Sequence, residues 1–407
     1  MSGRADTAAW WHSPGPWLGL LALGILLAAW NQGIAQLYQL GVLLLATLVA
    51  GYLLPRHNTR GVAVRRELPA EATEGDEIEV RLALSCTGLF ARYMLQVVDR
   101  LPFLDRDDYS VLIARLAGRR PFSYRIRCER RGHHRIGPLY LRSDFPLALH
   151  STGHAVPDSS ARIVVLPRRF PLTNVDLTGR SGYPTDGHQI APASRGHDHY
   201  AGIREYRRGD SRRHIHWRAS ARRGEWIVRE YEQLENTELL LVLDSNGAAN
   251  LGEGRESSFE YAVRIAASVA GCALAQGHRV GLYCQMREQL HWLAPDRGPL
   301  HLRRLLEALA AVEADSDRDY GEAIRAAFEH GGRQCRLMLF HTRTGTELPP
   351  LLQSVVPGAD LPPLQVLFDG PSFAGRSARP ADDGHLASRP GLYCVRAGDN
   401  LSGIFES

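Results

Sequence analysis

Leu239 to Asp244 read LLLVLD, a continuous apolar run that ends in a carboxylate. Such a run, without polar alternation, is typical of a strand that is buried on both faces of a parallel sheet. The chain beyond it predicts helices over 259–276, 300–312 and 320–330, and strands over 279–285, 337–340, 364–368 and 392–395. Because this alternation builds βαβ units, it predicts a doubly wound α/β sheet with helices on both faces.

A charge-dense segment lies shortly before that strand, where residues 204–232 read REYRRGDSRRHIHWRASARRGEWIVREYE. It holds nine arginines and five carboxylates, with Gly209-Asp210 and Arg223-Gly224 as turn signals. The alternation in 214–217 predicts a strand with one apolar and one imidazole face, and a second strand begins at Ile227. The arginines of such a hairpin must either pair with its own carboxylates or face a partner.

This segment resembles the hallmark of the bacterial family known as domain of unknown function 58, R-E-Y-x-x-G-D-x-x-R-x-I-H-W-x-A-S-A-R and later V-R-E-F/Y-E. From the matching positions we take as candidate interaction residues Arg204, Glu205, Tyr206, Gly209, Asp210, Arg213, His216, Trp217, Ser220, Arg222, Arg229 and Glu230. The resemblance implies a membrane-anchored protein with a von Willebrand factor A-like C-terminal domain that accompanies MoxR-type AAA+ ATPases.

In the von Willebrand factor A fold, a metal site usually combines a D-x-S-x-S motif with a Thr and an Asp from later loops. Here the motif positions hold Asp244, Asn246 and Ala248, and the later positions align with Arg318 and Arg343. A hard divalent cation requires an oxygen-rich cage, and two arginines would repel it. We therefore expect a degenerate site without metal, in which Asp244 pairs with an arginine.

Two H-x-H pairs, at 197–199 and 214–216, are the other candidate metal ligands. On a strand this spacing places both imidazoles on one face, which suits zinc or copper. The family hallmark retains only His216, and the surrounding guanidiniums disfavour a cation. We therefore interpret His216 as a hydrogen-bonded structural residue, paired with Asp210 or Glu230.

Sequence motifs for catalysis are missing, since the chain has no G-x-S-x-G elbow, P-loop or H-E-x-x-H. Ser220 has no base marked beside it, so we expect no catalytic residue, no cofactor and no small-molecule substrate. The six cysteines are far apart and form no C-x-x-C pair, which argues against a zinc knuckle or a disulfide framework. A reducing compartment is the simplest interpretation.

The N-terminus contains two uncharged apolar runs, at 17–30 and 37–54. As helices they would extend roughly 21 and 27 Å at about 1.5 Å per residue, against a hydrocarbon core of about 30 Å. A signal peptide and a buried helical hairpin are the alternatives to a membrane hairpin. Arg56, Arg60, Arg65 and Arg66 follow the second run, so the positive-inside rule predicts that both termini are cytoplasmic.

The region between the apolar runs and the charge-dense segment is rich in short alternating stretches. We predict strands over 77–84, 94–98, 109–114, 122–128 and 139–142, which together favour a small β-sandwich. The basic stretch 130–135 (RRGHHR) could bind an anion, but charge runs of this kind are more typical of a solvated hairpin tip.

These patterns predict an α+β multidomain protein. Its parts are two transmembrane helices in 1–60, a β-sandwich in 61–170, the arginine-rich signature segment in 171–235, and a von Willebrand factor A-like domain in 236–407. We expect a non-enzymatic adaptor of the bacterial inner membrane, with its soluble domains in the cytoplasm. Its expected partners are a MoxR-type AAA+ ATPase and other membrane or envelope proteins.

Two other functions stay open at this point. The first is binding of nucleic acid or anionic lipid through arginines of the signature segment, namely Arg207, Arg208, Arg212, Arg213, Arg218, Arg222 and Arg223. The interspersed carboxylates disfavour nucleic acid because they would repel phosphate, and a net charge of +4 is too small to favour it. The second is a metal-dependent hydrolase, which would purify with stoichiometric metal.

Overall fold

The computed structural model describes residues 14–88, 90–104, 108–173, 175, 199–206, 215–232, 237–342, 362–375 and 391–406. These residues form a mixed α+β protein with two N-terminal apolar helices and several sheets. The chain divides into two compact units. The first comprises Met1–Arg168 and Leu306–Val312, and the second comprises Arg169–Leu305 and Glu313–Ser407.

The first unit begins with helices α1 (Pro14–Gln32) and α2 (Ala35–Thr59), which extend the predicted apolar runs at both ends. Both helices are long and apolar enough to cross a membrane, and 11% of the most apolar window of each is buried within the protein. The two helices approach closely at Gly41, because a methyl group there would lie 2.6 Å from Leu26 Cδ2. A larger residue at this crossing would require the Leu26 side chain to move.

Ten strands follow in the first unit: β1 (Val62–Glu67), β2 (Glu71–Thr73), β3 (Glu77–Cys86), β4 (Arg92–Arg100), β5 (Asp108–Leu116), β6 (Arg119–Arg127), β7 (Gly132–Ile136), β8 (Leu139–Ser143), β9 (Thr152–Val156) and β10 (Ala161–Leu166). They form three sheets with the orders β1-β3-β6, β2-β10-β7 and β5-β4-β8-β9. Alternating apolar residues of all three sheets, among them Val80, Leu95, Leu141 and Val165, share one hydrophobic core. The strands expected from alternation are all present.

A buried ionic cluster ties three strands of this core together. Asp99 on β4 accepts hydrogen bonds from the Arg66 guanidinium on β1 and, at 2.5 Å, from the Tyr124 hydroxyl on β6. Arg66 also donates to the Gly137 carbonyl at 3.1 Å. A buried carboxylate is tolerated when it is paired and hydrogen-bonded in this way.

The end of α2 is fixed directly to the strands. The Asn58 side chain donates to the Tyr93 carbonyl at 2.6 Å and to the Ser143 hydroxyl at 2.7 Å, and it accepts the Tyr93 N–H at 3.0 Å. Asn58 is buried, with 5% of its surface exposed. Only two residues separate the end of α2 from the start of β1, so the helix and the strands form one continuous body.

From residue 199 the chain forms β11 (His199–Glu205), α3 (Trp217–Arg223), β12 (Ile227–Glu232), β13 (Glu238–Leu243), α4 (Ser258–Ala275), β14 (Arg279–Gln285), β15 (Leu290–Asp296), α5 (Pro299–Ala311), α6 (Tyr320–Gly331), β16 (Cys335–Thr342), β17 (Leu364–Phe368), α7 (Gly370–Phe373), β18 (Leu392–Val395) and α8 (Leu401–Glu406). Strands β13 to β18 build a six-stranded sheet in the order β15-β14-β13-β16-β17-β18. All neighbours are parallel except the edge pair β14 and β15.

The LLLVLD run forms the central strand β13, whose apolar residues are fully buried. On one face of the sheet, Leu240 and Val242 pack with Ile324 and Ala327 of α6. Helix α4 also contacts β13 and β14. The predicted helices and strands of this region are confirmed, while β15 was not predicted.

Candidate functional site

The signature segment folds into two antiparallel strands with a helix between them. Strand β11 pairs with β12 from His199–Glu232 to Glu205–Ile227, and α3 occupies the connection. The prediction of a strand through 214–217 was therefore wrong: only Ile215 forms an isolated bridge, to Val228, and the helix begins at Trp217. The expected second strand at Ile227 is confirmed.

Local chemistry explains why α3 forms where alternation predicted a strand. The His216 ring accepts the Ala219 N–H through Nδ1 at 3.3 Å and so caps the helix N-terminus. Alanine and arginine are good helix formers, and they fill most of the following turn. At the other end Gly224 adopts φ 75°, the left-handed conformation that commonly ends a helix.

Ser220 joins α3 to β12. Its hydroxyl accepts the Ile227 N–H at 2.9 Å and donates to the His216 carbonyl at 3.1 Å, and the residue is buried. The His216 N–H donates to the Ile227 carbonyl at 2.8 Å. His216 thus forms local hydrogen bonds, while the side chains of its predicted partners, Asp210 and Glu230, lie outside the described residues. Ser220 has a structural role of the same kind.

The outer side of this module is aromatic and cationic. Trp217 is 66% exposed and Trp226 is 53% exposed, although the Trp226 ring also contacts Tyr206 edge-on with centroids 5.4 Å apart. The Arg218, Arg222 and Arg223 side chains are exposed. We call these five residues, Trp217, Arg218, Arg222, Arg223 and Trp226, the α3 face. No ion pair of its arginines is found within the described part of the chain.

Several predicted site residues cannot be placed in this geometry. Gly209, Asp210, Arg213 and the first H-x-H pair through residue 198 lie outside the described residues, as does His214. Backbone register places Arg204 opposite Val228, Arg229 opposite Ile203 and Glu230 opposite Gly202. Glu205 ends β11 with an exposed side chain.

The predicted metal-site positions lie at the carboxyl end of β13. Asp244 accepts the Asn246 N–H at 3.0 Å, and Asn246 accepts the N–H groups of Ala248 and Ala249 at 2.9 and 3.3 Å. The Asn246 amide donates to the Arg318 carbonyl at 3.0 Å. These oxygens therefore stabilise a backbone turn, with Arg318 contributing its main chain.

Asp244 is a buried carboxyl without a cationic partner in the described part of the chain. Burial raises its pKa to about 6, the Asn246 N–H lowers the pKa, and the Asp319 carboxylate raises it further. The expected pairing of Asp244 with an arginine is thus not found there, and Arg343 lies outside the described residues. Among the residues that the structure describes, no group of three or more His, Cys, Asp or Glu side chains could hold a metal ion.

Two buried residues near Asp244 were not predicted. The Tyr320 hydroxyl donates to the Val242 carbonyl at 2.8 Å and accepts the Phe340 N–H at 3.1 Å, so it joins α6 to both central strands. His341 is 7% exposed, and burial lowers its pKa to about 4 against hydrogen bonds that raise it. Both act through residues distant in the chain, which no local pattern reveals.

Part of the basic stretch 130–135 forms hydrogen bonds to backbone carbonyls of the first unit. Arg131 donates to the carbonyls of Leu309 and Val312 at 3.0 and 2.7 Å, and the His134 ring contacts the Arg130 carbonyl at 3.0 Å. Burial lowers the pKa of His134. Because of these hydrogen bonds, the stretch differs from the fully solvated hairpin tip that its charge pattern favoured.

Comparison with known proteins supports the family suggested by the signature. Residues 202–338 match the family model described as Protein of unknown function DUF58. Among curated proteins, the uncharacterized protein YeaD of Bacillus subtilis (strain 168) is 24% identical over 199 residues, 48% of this chain and 46% of YeaD. The similarity thus spans about half the length of that relative, and both findings support the DUF58 family.

Solved structures resemble only a limited part of the chain. The CARDB domain of a Pyrococcus furiosus protein is 10% identical, with a TM-score of 0.19, and covers 26% of this chain and 87% of its own. The complex of zinc 2-glycoprotein and prolactin-inducible protein from human seminal plasma contains a chain that is 15% identical, with a TM-score of 0.18. The match covers 26% of this chain and 98% of that chain. These scores are too low to carry an inference.

Proposed function

We propose that this protein is a non-enzymatic adaptor, anchored in the bacterial inner membrane by α1 and α2, that presents its soluble parts to cytoplasmic partners. The α3 face is the observation that carries the proposal. It combines two exposed tryptophans with three exposed arginines on a short, well-capped module. Trp and Arg are the residue types that dominate the energetics of protein interfaces.

The charge of the α3 face defines the partner. Helix α3 carries three arginines and no carboxylate. Arg218 and Arg222 are four residues apart and so share one side of the helix. Guanidinium groups bind carboxylates in a bidentate fork, so the complementary surface is acidic, with apolar contacts for the two tryptophans. By family resemblance, the partner is a MoxR-type AAA+ ATPase.

The C-terminal sheet fits the proposed von Willebrand factor A-like domain. Counted from β13, its strand order is 3-2-1-4-5-6, the order of a doubly wound sheet. The crossovers through α4 and α6 lead to opposite sides of β13, so right-handed connections place these helices on opposite faces. The domain provides a rigid frame for docking.

The metal that this fold usually carries does not fit the residues present. Asp244 and Asn246 already accept backbone N–H groups, and Ala248 offers no side-chain oxygen. Metal analysis of the purified protein tests the hydrolase alternative.

The cytoplasmic orientation follows from the arginines after α2. Arg56, Arg60 and Arg65 have exposed side chains, while the turn between the two helices carries no Lys or Arg. By the positive-inside rule the end of α2 faces the cytoplasm. The soluble parts follow on the same side.

Binding to the purified MoxR-type ATPase of the same organism tests the adaptor proposal. The full-length protein in nanodiscs is compared with Arg218→Glu/Arg222→Glu and with Trp217→Ala. Arg297→Glu and Leu300→Ala are matched controls, since both residues are exposed in the described structure. We expect the α3 variants to lose at least about tenfold in affinity, as for hot-spot residues, and the controls to keep wild-type affinity.

The outcomes separate the parts of the proposal. Equal binding by all variants would remove the α3 face from the interface, and no binding by the wild type would reject this ATPase as the partner. Binding of a DNA duplex or of anionic vesicles instead, with a steep loss of affinity as salt is raised, would favour the anionic-ligand alternative. That alternative draws on these three arginines together with Arg207, Arg208, Arg212 and Arg213.

A further inference from the structure

One loop of the first unit lies beside the apolar helices. Residues 144–150 (DFPLALH) connect β8 to β9, and a methyl group placed at Gly51 of α2 would lie 2.9 Å from Leu149 Cδ1. The His150 ring is tilted against the Tyr52 ring, with centroids 4.8 Å apart. The Leu149 carbonyl also lies 3.7 Å from a methyl group built at Gly15 of α1. The loop therefore contacts both helices.

The contact point lies within the last turn of the apolar part of α2. Gly51 precedes the last residue of α2 by eight positions, or roughly 12 Å along the helix axis at about 1.5 Å per residue. It also precedes Leu54, where the uncharged run ends. Leu149 is thus beside the final turn of the hydrophobic segment.

Arg56 marks the level at which the polar region begins. Its side chain is exposed, lies over the Tyr52 ring at 4.8 Å and donates to the Tyr52 hydroxyl at 2.7 Å. Arginine and tyrosine at a helix end are typical of the headgroup region. Gly51 is five residues, or roughly 7.5 Å, deeper than Arg56.

Large apolar side chains are exposed around the same end of α2. Leu147 in the loop is 46% exposed, and Met94, which follows the Asn58-bonded Tyr93, is 41% exposed. Phe90 is 72% exposed in the β3–β4 turn, whose Thr87 N–H donates to the Gly61 carbonyl at 2.9 Å. Met94 and Phe90 are thus tied to residues beyond Arg56, whereas Leu147 belongs to the loop that contacts Gly51.

We infer that residues 144–150 form a lipid-contacting rim of the β-domain that enters the bilayer beside α2. Its partner is the phospholipid bilayer: acyl chains near the glycerol for Leu147, and headgroup phosphate for Arg56. Interfacial elements commonly bury apolar side chains about 5–10 Å below the headgroup boundary, which agrees with the position of Leu149. The inference rests on the proposed membrane anchor.

Depth-dependent fluorescence quenching tests this rim in the full-length protein in nanodiscs. Cys86, Cys272 and Cys394 are replaced by serine, whereas Cys128, Cys284 and Cys335 are buried and stay. Burial raises the pKa of Cys128 to about 11 and that of Cys335 to about 12, which suppresses their labelling. Single cysteines are then introduced as Leu147→Cys, Leu112→Cys and Leu43→Cys and labelled with a polarity-sensitive fluorophore.

Leu112 and Leu43 are the matched controls. Leu112 is 59% exposed on β5 of the same domain, and Leu43 is 63% exposed in the middle of α2. With a phospholipid spin-labelled near the glycerol end of its acyl chain, we expect loss of fluorescence at position 147 and none at 112. A spin label near the chain end should quench position 43.

The result at position 43 separates this inference from the anchor. Quenching at 43 with none at 147 would overturn the lipid rim and leave the membrane anchor intact. Absence of quenching at 43 would reject the anchor itself, and the rim with it. Equal quenching at 147 and 112 would mean nonspecific adsorption of the domain, which also overturns the rim.

Discussion

The Ser220 hydroxyl carries the link between α3 and β12, since it both accepts the Ile227 N–H and donates to the His216 carbonyl. Ser220→Ala leaves a buried N–H without its acceptor, so we expect a loss of about 1–3 kcal/mol in the local free energy of opening. Hydrogen exchange of peptides covering 215–232 measures it. Ala221→Ser, at an exposed neighbour, should change exchange little; comparable effects in both variants would contradict this role.

Asp244 and His341 titrate in the same pH range with opposite effects on stability. The pKa of Asp244 is about 6 against an ordinary 3.8, so its contribution is complete below 3.8 and is lost as pH rises to 6. The pKa of His341 is about 4 against an ordinary 6.5, so its contribution is complete above 6.5 and is lost as pH falls to 4. The two effects oppose each other, and each changes the unfolding free energy by at most about 3 kcal/mol.

Single substitutions should therefore expose opposite slopes. Asp244→Asn keeps the shape of the side chain and removes its titration, so that of the two groups only His341 still titrates. The variant should therefore lose stability as pH falls from 6.5 to 4. In His341→Gln, of the two groups only Asp244 still titrates, so this variant should lose stability as pH rises from 3.8 to 6. Hydrogen exchange in β13 and β16 at several pH values measures both. Parallel pH profiles in the two variants would refute the compensation.

At the level of residues, the sequence identified the signature but not how its side chains are used. His216 and Ser220 were among the candidates, yet the His216 cap requires a helix that alternation did not predict, and the Ser220–Ile227 bond requires the turn at Gly224. Tyr320 and His341 escaped prediction because their partners are distant in sequence. Such roles emerge only when strands are paired.

At the level of elements, polar residues inside buried strands explain most of the differences. Strand β16 was predicted over 337–340 but runs from Cys335 to Thr342, because buried Arg336 and His341 interrupt its apolar pattern. The Arg336 guanidinium donates to the Pro362 carbonyl at 3.0 Å, which permits its burial. Strand β15 was missed because Pro295 lies within it, and proline in a strand is tolerated at a sheet edge.

The α1–α2 contact provides a test at the same level. Gly41→Leu would force Leu26 away and separate the helices, at a cost of about 1–3 kcal/mol as for other overpacked sites. Thermal unfolding of the detergent-solubilised protein measures the loss. Gly24→Leu is the matched control, because no atom lies within 4 Å of a methyl group at that position of α1. If both variants unfold at the wild-type temperature, the helices do not pack at Gly41.

At the scale of the whole molecule, the orientation in the membrane can be read from one exposed thiol. Cys394 is exposed on β18, so a membrane-impermeant maleimide should label it only after spheroplasts are lysed. A Gln32→Cys variant lacking Cys394 should be labelled in intact spheroplasts, because residue 32 ends α1 on the opposite side. Labelling of Cys394 before lysis would reverse the proposed topology.

The hydrogen bonds of Asn58 fix α2 to the strands, so the thickness of the bilayer can affect the orientation of the β-domain. The uncharged run of α2 extends roughly 27 Å at about 1.5 Å per residue, close to an average hydrocarbon core of about 30 Å, and a membrane thinner than the apolar stretch is commonly accommodated by tilting. Because α2 is joined to the strands by a very short connection, a tilt of the helix tilts the domain by the same angle. A thinner membrane would increase the tilt of the β-domain from the membrane normal, and a thicker one would decrease it.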